Sequence, residues 1–201
     1  EAPRVMAVLE PLKLTIQNYP QGDTENFDAP YYPHDVPKDG TRPLPFSKHL
    51  YIDRSDFREA PPKGYFRLTL GREVRLRYAY LVTCVEVIKN ADGDVIEVIC
   101  RYDKESRGGQ SPDGRKVKGT IQWVDATTAL PFEARVYDRL FSCEDPEDTP
   151  EGQDFTVNLN PTSERRYPKA LVERSIANDP VQTRYQFERL GYYWRDPVDT
   201  T

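Results

Sequence analysis

The chain of 201 residues has two histidines, three cysteines and no long apolar run, and each shortage excludes a class of protein. Mean hydropathy is −0.76 and no stretch of about 18 apolar residues occurs, so no membrane-spanning helix is predicted. His34 and His49 form no cluster with cysteine, which argues against a zinc site and predicts loop or surface positions for both. Cys84, Cys100 and Cys143 cannot all pair and lie outside any Cys-x-x-Cys motif. This pattern favours buried thiols in a reducing, cytoplasmic compartment over disulfide or redox roles.

Motifs for catalysis and nucleotide binding are also missing. Gly108-Gly109 is not followed by Lys-Ser/Thr and a helix pattern, and no Gly-x-Ser-x-Gly or His-Glu-x-x-His occurs. Carboxylates are abundant, but their spacing singles out no acid pair of the glycosidase type. We therefore expect no catalytic, cofactor-binding or metal-binding residues in this chain. No signal-peptide pattern opens the chain, and its start at Glu1 rather than at a methionine favours a piece of a longer protein.

Proline is abundant instead, at 18 of 201 residues, which argues against long helices and for strands joined by shaped loops. Alternating apolar and polar residues predict strands at 12–16 and, without a break, from 72 to 88. Residues 90–94 contain Asp-Gly and predict a hairpin turn into a return strand at 95–102. Residues 19–47 are predicted to be a long loop. Further strands are predicted at 118–124, 132–141, 155–159, 168–174 and 184–194.

No segment has a sustained helical period, so the predicted fold class is all-β. Many short strands joined by shaped loops are typical of sandwiches and barrels, and this length suits two small barrels better than one large one.

Charge is distributed unevenly along the chain, whose net charge is −5. Residues 63–77 carry a net +4 and residues 101–118 a net +3, whereas residues 144–154 contain six acids and no base. A polyanionic partner needs a local positive surface rather than a positive total. The alternative is that each cluster is a solvated face.

The segment from Arg67 to Arg77 suits RNA. On a strand, Arg75 and Arg77 point to the same face about 7 Å apart, and their planar guanidinium groups match phosphate and base-edge acceptors. Nearby aromatics could stack on unpaired bases, among them Tyr31 and Phe66. The alternative is an exterior strand that forms a salt bridge with Glu73.

A second polar group occurs near the end of the chain, in Gln186-Phe-Glu-Arg189. An amide, a carboxylate and a guanidinium together donate and accept hydrogen bonds, which allows one base to be told from another. The alternative is that these are ordinary polar side chains on the surface of a strand.

These segments, taken in chain order, resemble glutaminyl-tRNA synthetase. The resemblance covers nearly the whole chain and includes residues 4–16, Pro45-Phe-Ser47, residues 51–59, Gly71-Arg-Glu-Val-Arg-Leu-Arg77, residues 113–119, Trp123-Val124 and Tyr137-Asp-Arg-Leu-Phe141. It corresponds to the C-terminal, anticodon-binding half of that enzyme. It implies two small β-barrels stacked end to end, with the first and last segments of the chain sharing one barrel. Residues 1–25 plus 126–201 would form the proximal barrel, without its last strand, and residues 26–125 the distal barrel.

The resemblance also implies roles for individual residues. Arg75 and Arg77 match the arginines that hold the first anticodon base, and Arg67 matches one that serves the third. The remaining matches lie at the barrel junction, around the middle and third bases: Arg4, Gln186, Glu188 and Arg189. The chain departs from the best-known bacterial pattern at Gly64, Phe66 and Tyr31, where glutamine, lysine and asparagine stand. Phe66 and Tyr31 are expected to stack on bases instead.

The implied partners are the anticodon loop of glutamine tRNA and the enzyme's own N-terminal catalytic domain, in a monomer that does not bind membranes. The parent enzyme is a class I synthetase that joins glutamine to its tRNA with ATP and magnesium. This chain has no His-Ile-Gly-His or Lys-Met-Ser-Lys-Ser type signature, so it should bind no cofactor and be inactive alone. Two RNA-binding alternatives are the tail of a eukaryotic-type or archaeal-type glutamyl-tRNA synthetase and a ribosomal-RNA-binding barrel protein. The Val-Arg-Leu-Arg and Gln-Phe-Glu-Arg segments favour the glutamine enzyme.

Overall fold

The computed structural model describes residues 2–198, which are built almost entirely from short strands. In chain order the strands are β1 (Arg4–Val5), β2 (Ala7–Val8), β3 (Pro11–Ile16), β4 (Glu25–Pro30), β5 (Thr41–Phe46), β6 (His49–Asp53), β7 (Glu73–Leu76), β8 (Leu81–Lys89), β9 (Val95–Tyr102), β10 (Thr120–Ile121), β11 (Trp123–Asp125), β12 (Leu130–Tyr137), β13 (Glu164–Val172), β14 (Arg184–Phe187) and β15 (Gly191–Trp194). Single turns of 3-10 helix occur at Arg54–Asp56, Lys104–Ser106, Phe155–Asn158 and Arg174–Ile176. Within this part of the chain no helix is long and apolar enough to cross a membrane. The all-β prediction is confirmed.

The largest sheet is a nearly closed barrel of seven strands in the order β10-β7-β8-β9-β3-β6-β11. Its two outermost strands, β10 and β11, are separated in the chain only by Gln122, so the sheet must curl until its edges meet. The interior is filled by aliphatic side chains and by a set of aromatic rings in edge-to-face contact. Phe46 is central, with ring centroids of Trp123 at 5.1 Å, Tyr19 at 5.3 Å and Tyr80 at 5.4 Å.

Two smaller sheets, β1-β14-β15 and β12-β13-β2, enclose a second core. β1 pairs with β14 and β2 with β13, so the start and the end of the chain meet here. Val5, Tyr185 and Phe187 are buried in this core, and the rings of Phe187 and Tyr193 stack at 4.3 Å.

β3 lies in the seven-stranded barrel, whereas residues 1–25 were predicted to belong to the other, proximal barrel. Leu12, Leu14 and Ile16 point into the seven-stranded barrel, because β3 pairs with β6 and β9. The chain therefore passes from the smaller sheets to the barrel between β2 and β3. It returns after β11, which ends next to the predicted boundary at 126. The division of the chain into two domains stays a prediction.

Several local predictions are wrong. Residues 184–194 form a hairpin of two strands, β14 and β15, rather than one strand, because Arg189 between them adopts a φ of 65°. Residues 72–88 form two strands, because Tyr78 adopts a φ of 67° and turns the chain without glycine or proline. The predicted loop 19–47 contains β4 and β5, whose prolines are tolerated because a two-stranded sheet has only edge strands. Residues 155–158 form a helical turn because the Asp154 side chain caps it, accepting from Thr156 N at 2.9 Å.

Two other expectations concern the Asp-Gly turn and the cysteines. The hairpin of β8 and β9 around residues 90–94 is confirmed. Cys84 and Cys100 are buried cross-strand neighbours, as expected, whereas Cys143 is exposed.

Candidate RNA-binding surface

Arg75 lies on the outward face of β7, because Val74 and Leu76 point into the barrel. Its Nε donates to the Gly109 carbonyl oxygen at 2.5 Å, and a terminal nitrogen donates to Thr120 Oγ1 at 3.3 Å. A Cβ on Gly109 would lie 2.8 Å from the Arg75 side chain, and Gly109 has a φ of +80°. Glycine at this position therefore lets the loop close over Arg75 and hold it.

Arg77 lies just after β7, and its partner differs from those of Arg75. Its Nε forms an ion pair with the buried carboxylate of Glu188, and its guanidinium lies 4.8 Å from the Tyr78 ring centroid. The Tyr78 hydroxyl donates to the same carboxylate at 2.9 Å. Burial, and after it the Glu188 charge, raise the pKa of Tyr78. The prediction that Arg75 and Arg77 present two unoccupied guanidinium groups on one strand face is therefore wrong. Each arginine is held by its own intramolecular partner.

Glu73, the alternative partner for these arginines, is bound elsewhere. Its carboxylate accepts two hydrogen bonds from Arg115, each at 2.8 Å. The alternative interpretation named Glu73 as the partner of these arginines, whereas the structure pairs Glu73 with Arg115 and Arg77 with Glu188.

Arg67 and Arg189 share one buried carboxylate, that of Asp56. The distances from Arg67 and Arg189 nitrogens to Asp56 Oδ1 are both 3.0 Å. Burial raises the pKa of Asp56, and the neighbouring Arg189 and Arg67 oppose that shift. Arg189 also donates to the Thr120 carbonyl at 2.9 Å. Because Arg189 follows β14 whereas Asp56 and Thr120 belong to the barrel, these contacts join the two cores.

Arg4, Gln186 and Tyr31 lie together at the edge of the second core. Arg4 is directly opposite Gln186, and its Nε donates to the Gln186 side-chain oxygen at 3.2 Å. The Arg4 backbone N–H donates to the Tyr31 carbonyl at 2.7 Å. The Tyr31 ring packs against the second core and under the Arg42 guanidinium at 5.3 Å, so it is half-buried. Phe66, in contrast, is half-exposed, with the Lys118 ammonium 4.9 Å from its ring centroid.

A buried ion pair at the junction was not predicted. Arg42 is fully buried and pairs with Glu173 through two hydrogen bonds. A terminal nitrogen of Arg42 donates to Glu173 Oε2 at 3.1 Å, and Arg42 Nε donates to Glu173 Oε1. The same guanidinium approaches Glu188 to 3.7 Å, and Glu173 accepts from Met6 N at 2.7 Å. The inward position of Arg42 was not predicted because Arg42 lies in the segment predicted as a loop. The alternation of Arg42, Leu44 and Phe46 could have indicated an inward-facing strand.

The described residues contain no cluster of three or more side chains suited to hold a metal ion. The polar groups that converge at the junction are instead guanidinium, amide and carboxylate groups. Such groups recognise planar hydrogen-bonding partners such as nucleobases and phosphates.

Comparison with known families agrees with this chemistry. A family described as "tRNA synthetases class I (E and Q), anti-codon binding domain" matches residues 2–103, and a second family of the same description matches residues 120–196. The chain therefore belongs to the anticodon-binding domains of the class I tRNA synthetases of the E and Q group, as the resemblance predicted.

Among its relatives are proteins named glutamine–tRNA ligase. The one from Nitrobacter hamburgensis is 51% identical over 195 residues, which are 97% of this chain and 34% of that protein. Those from Bradyrhizobium diazoefficiens and Pseudomonas putida are each 48% identical over 199 residues, or 99% of this chain and 35% of theirs. The chain thus spans about a third of the length of these relatives.

Proposed function

We propose that this chain is the anticodon-recognition module of a glutaminyl-tRNA synthetase and binds the anticodon loop of glutamine tRNA. The observation that carries the proposal is that four arginines lie around one junction. Arg67 and Arg189 meet at Asp56, Arg189 and Arg75 meet at Thr120, and Arg77 binds the residue next to Arg189.

The geometry supports recognition by positioned guanidinium groups. Each guanidinium has five N–H donors, and the intramolecular partners occupy only part of them. Arg67 and Arg77 are both partly exposed, so donors remain for an RNA base or phosphate. Because Asp56 and Glu188 already fix the side chains, less rotamer entropy is lost when RNA binds.

Arg4 and Gln186 present a second recognition unit of the same kind. The Gln186 oxygen accepts from Arg4, which leaves its amide nitrogen as a donor toward a base edge. Phe66 is half-exposed and suited to stack on a base. Tyr31 is covered by Arg42 and the second core, so we assign it a supporting role through its backbone contact with Arg4.

The parent enzyme would attach glutamine to its tRNA with ATP and magnesium, in the cytoplasm and as a monomer. Its catalytic domain would lie outside this chain, and the only substrate that these residues contact would be the tRNA. The glutamine–tRNA ligases among the relatives favour this assignment over the glutamyl-specific and ribosomal alternatives.

The proposal is tested by the dissociation constants of this chain for glutamine tRNA and for the same tRNA with a changed first anticodon base. We expect the wild type to prefer the cognate anticodon and Arg77→Ala to lose about 1–3 kcal/mol of that preference. Binding should weaken as salt rises, because phosphate contacts release counterions. Arg139→Ala, at an exposed arginine in the loop after β12, is the matched control and should keep the preference. Equal binding of both RNAs by the wild type would contradict the proposal.

A further inference from the structure

The outer face of the sheet β1-β14-β15 carries two exposed aromatic side chains outside the proposed RNA contacts. Side chains alternate across a strand, so Phe187 and Tyr193 point into the second core whereas Tyr192 and Trp194 point outward. Tyr192 exposes 78% of its surface and Trp194 exposes 52%. Two large aromatics exposed side by side indicate a binding surface rather than scattered surface residues.

Both aromatics are in register with residues of the proposed site. Tyr192 lies opposite Gln186, and Gln186 lies opposite Arg4, so these three residues form one row across three strands. Trp194 lies opposite Arg184 in the next row, about 7 Å along the same face. One continuous face therefore carries two arginines, one amide and two aromatic rings.

This face also borders an open groove. The groove, of about 370 Å³, is lined by Arg184, Tyr192 and Trp194 together with Ala2 and Tyr193. The indole N–H of Trp194 donates to the Gln182 carbonyl at 3.1 Å, which holds the ring in place. A ring that is fixed and exposed is ready to stack without reorganisation.

We propose that Tyr192 and Trp194 form a stacking platform for unpaired bases beside the anticodon, with Arg184 contacting the adjoining phosphate. The inference rests on the proposed function, because Arg4 and Gln186 bring the RNA onto this face. The cationic and amide groups in the same rows favour RNA over an apolar protein surface. Every base has a π-face, so the platform contributes affinity and leaves base identity to the arginines.

Intrinsic fluorescence tests the platform in the wild-type chain. The chain has two tryptophans, and Trp123 is buried in the barrel, so a stacked base can reach only Trp194. We expect the anticodon stem-loop of glutamine tRNA to quench Trp194 emission. Tyr192→Ala and Trp194→Ala should each weaken binding about tenfold, without changing the preference for the cognate anticodon. Tyr137→Ala removes an aromatic from β12 whose exposure lies between those of Tyr192 and Trp194, and should leave affinity unchanged.

The outcomes separate this inference from the proposed function. If the stem-loop binds with an Arg77-dependent anticodon preference, but Trp194 emission and the affinity of both alanine variants are unchanged, the platform is refuted and the proposed function stands. That result would assign the face to a protein contact. If the wild type binds no stem-loop, or binds all anticodons equally, both are refuted. Because the fluorescence test uses the wild type, it does not depend on the folding of any variant.

Discussion

Asp56→Asn should separate reading of the third anticodon base from reading of the first. The Asp56 carboxylate is 3% exposed and holds Arg67 and Arg189, each at 3.0 Å. Asparagine keeps the size and one acceptor oxygen but removes the charge that both guanidinium groups face. Arg67 and Arg189 then lose their fixed positions, whereas Arg75 and Arg77 keep their own partners.

The exposure of the two arginines sets the size of the effect. A hydrogen bond to a charged group contributes about 1.5–3 kcal/mol, and contact with water reduces that value. The Arg189 side chain is 30% exposed and that of Arg67 is 41% exposed, so water replaces part of the lost interaction. We expect the variant to lose about 1–2 kcal/mol of unfolding free energy. Third-base discrimination should fall by about 1 kcal/mol, which is roughly fivefold in the ratio of dissociation constants.

The assay compares three stem-loops: the glutamine anticodon, one with a changed first base and one with a changed third base. The matched control is Asp53→Asn, because Asp53 is also a buried carboxylate but caps the turn Arg54–Asp56 through Ser55 N at 3.0 Å. The control should lose stability and keep both discriminations. The reasoning is refuted if Asp56→Asn keeps third-base discrimination, or loses discrimination at both positions equally.

Three further predictions concern stability and titration. Arg42→Ala leaves the Glu173 carboxylate buried without its guanidinium, and urea titration should show a loss of about 3–5 kcal/mol. Gly119→Ala places a Cβ 2.0 Å from a backbone carbonyl oxygen, so the backbone must shift, at a cost of about 1–3 kcal/mol in thermal unfolding. Hydrogen bonds from Ser111 and then from a neighbouring arginine lower the pKa of Asp113 to about 2, which NMR titration of its carboxyl should show. Its contribution to stability is complete above about pH 4 and is lost as the pH falls toward the lowered pKa.

Each of these three predictions can be contradicted by a specific result. An Arg42→Ala variant as stable as the wild type would show that Glu173 is reached by water. An unchanged melting temperature for Gly119→Ala would place the backbone further away than the structure does. An Asp113 carboxyl that titrates at its ordinary pKa would show that the hydrogen bonds to its charged form are absent in solution.

Sequence patterns predicted the elements whose signals are local. The strand Pro11–Ile16 alternates strictly, and the Asp-Gly turn at residues 92–93 forces a hairpin. The turn after β7 was missed because Tyr78 adopts a left-handed conformation that glycine usually supplies. That conformation is stabilised by distant contacts, including the hydrogen bond from Tyr78 to Glu188, which no local pattern contains.

The arginines of the candidate site could be predicted, but their partners could not. Alternation shows that Arg75 leaves the core, yet it contains no information on which distant group faces the side chain. Arg189 and Asp56 are 133 positions apart in the chain, and Arg4 and Gln186 are 182 apart. These contacts are set by how the two cores pack together. The same packing gives these arginines intramolecular partners in place of the open surface that was expected.

Footprinting of glutamine tRNA by this chain tests the central claim most directly. The tRNA is exposed to a structure-independent cleavage reagent with and without saturating protein, and cleavage is compared nucleotide by nucleotide. We expect protection of the three anticodon bases and their neighbours, with the acceptor stem cleaved as in free tRNA. Protection confined to the acceptor stem, or spread evenly over the molecule, would contradict it.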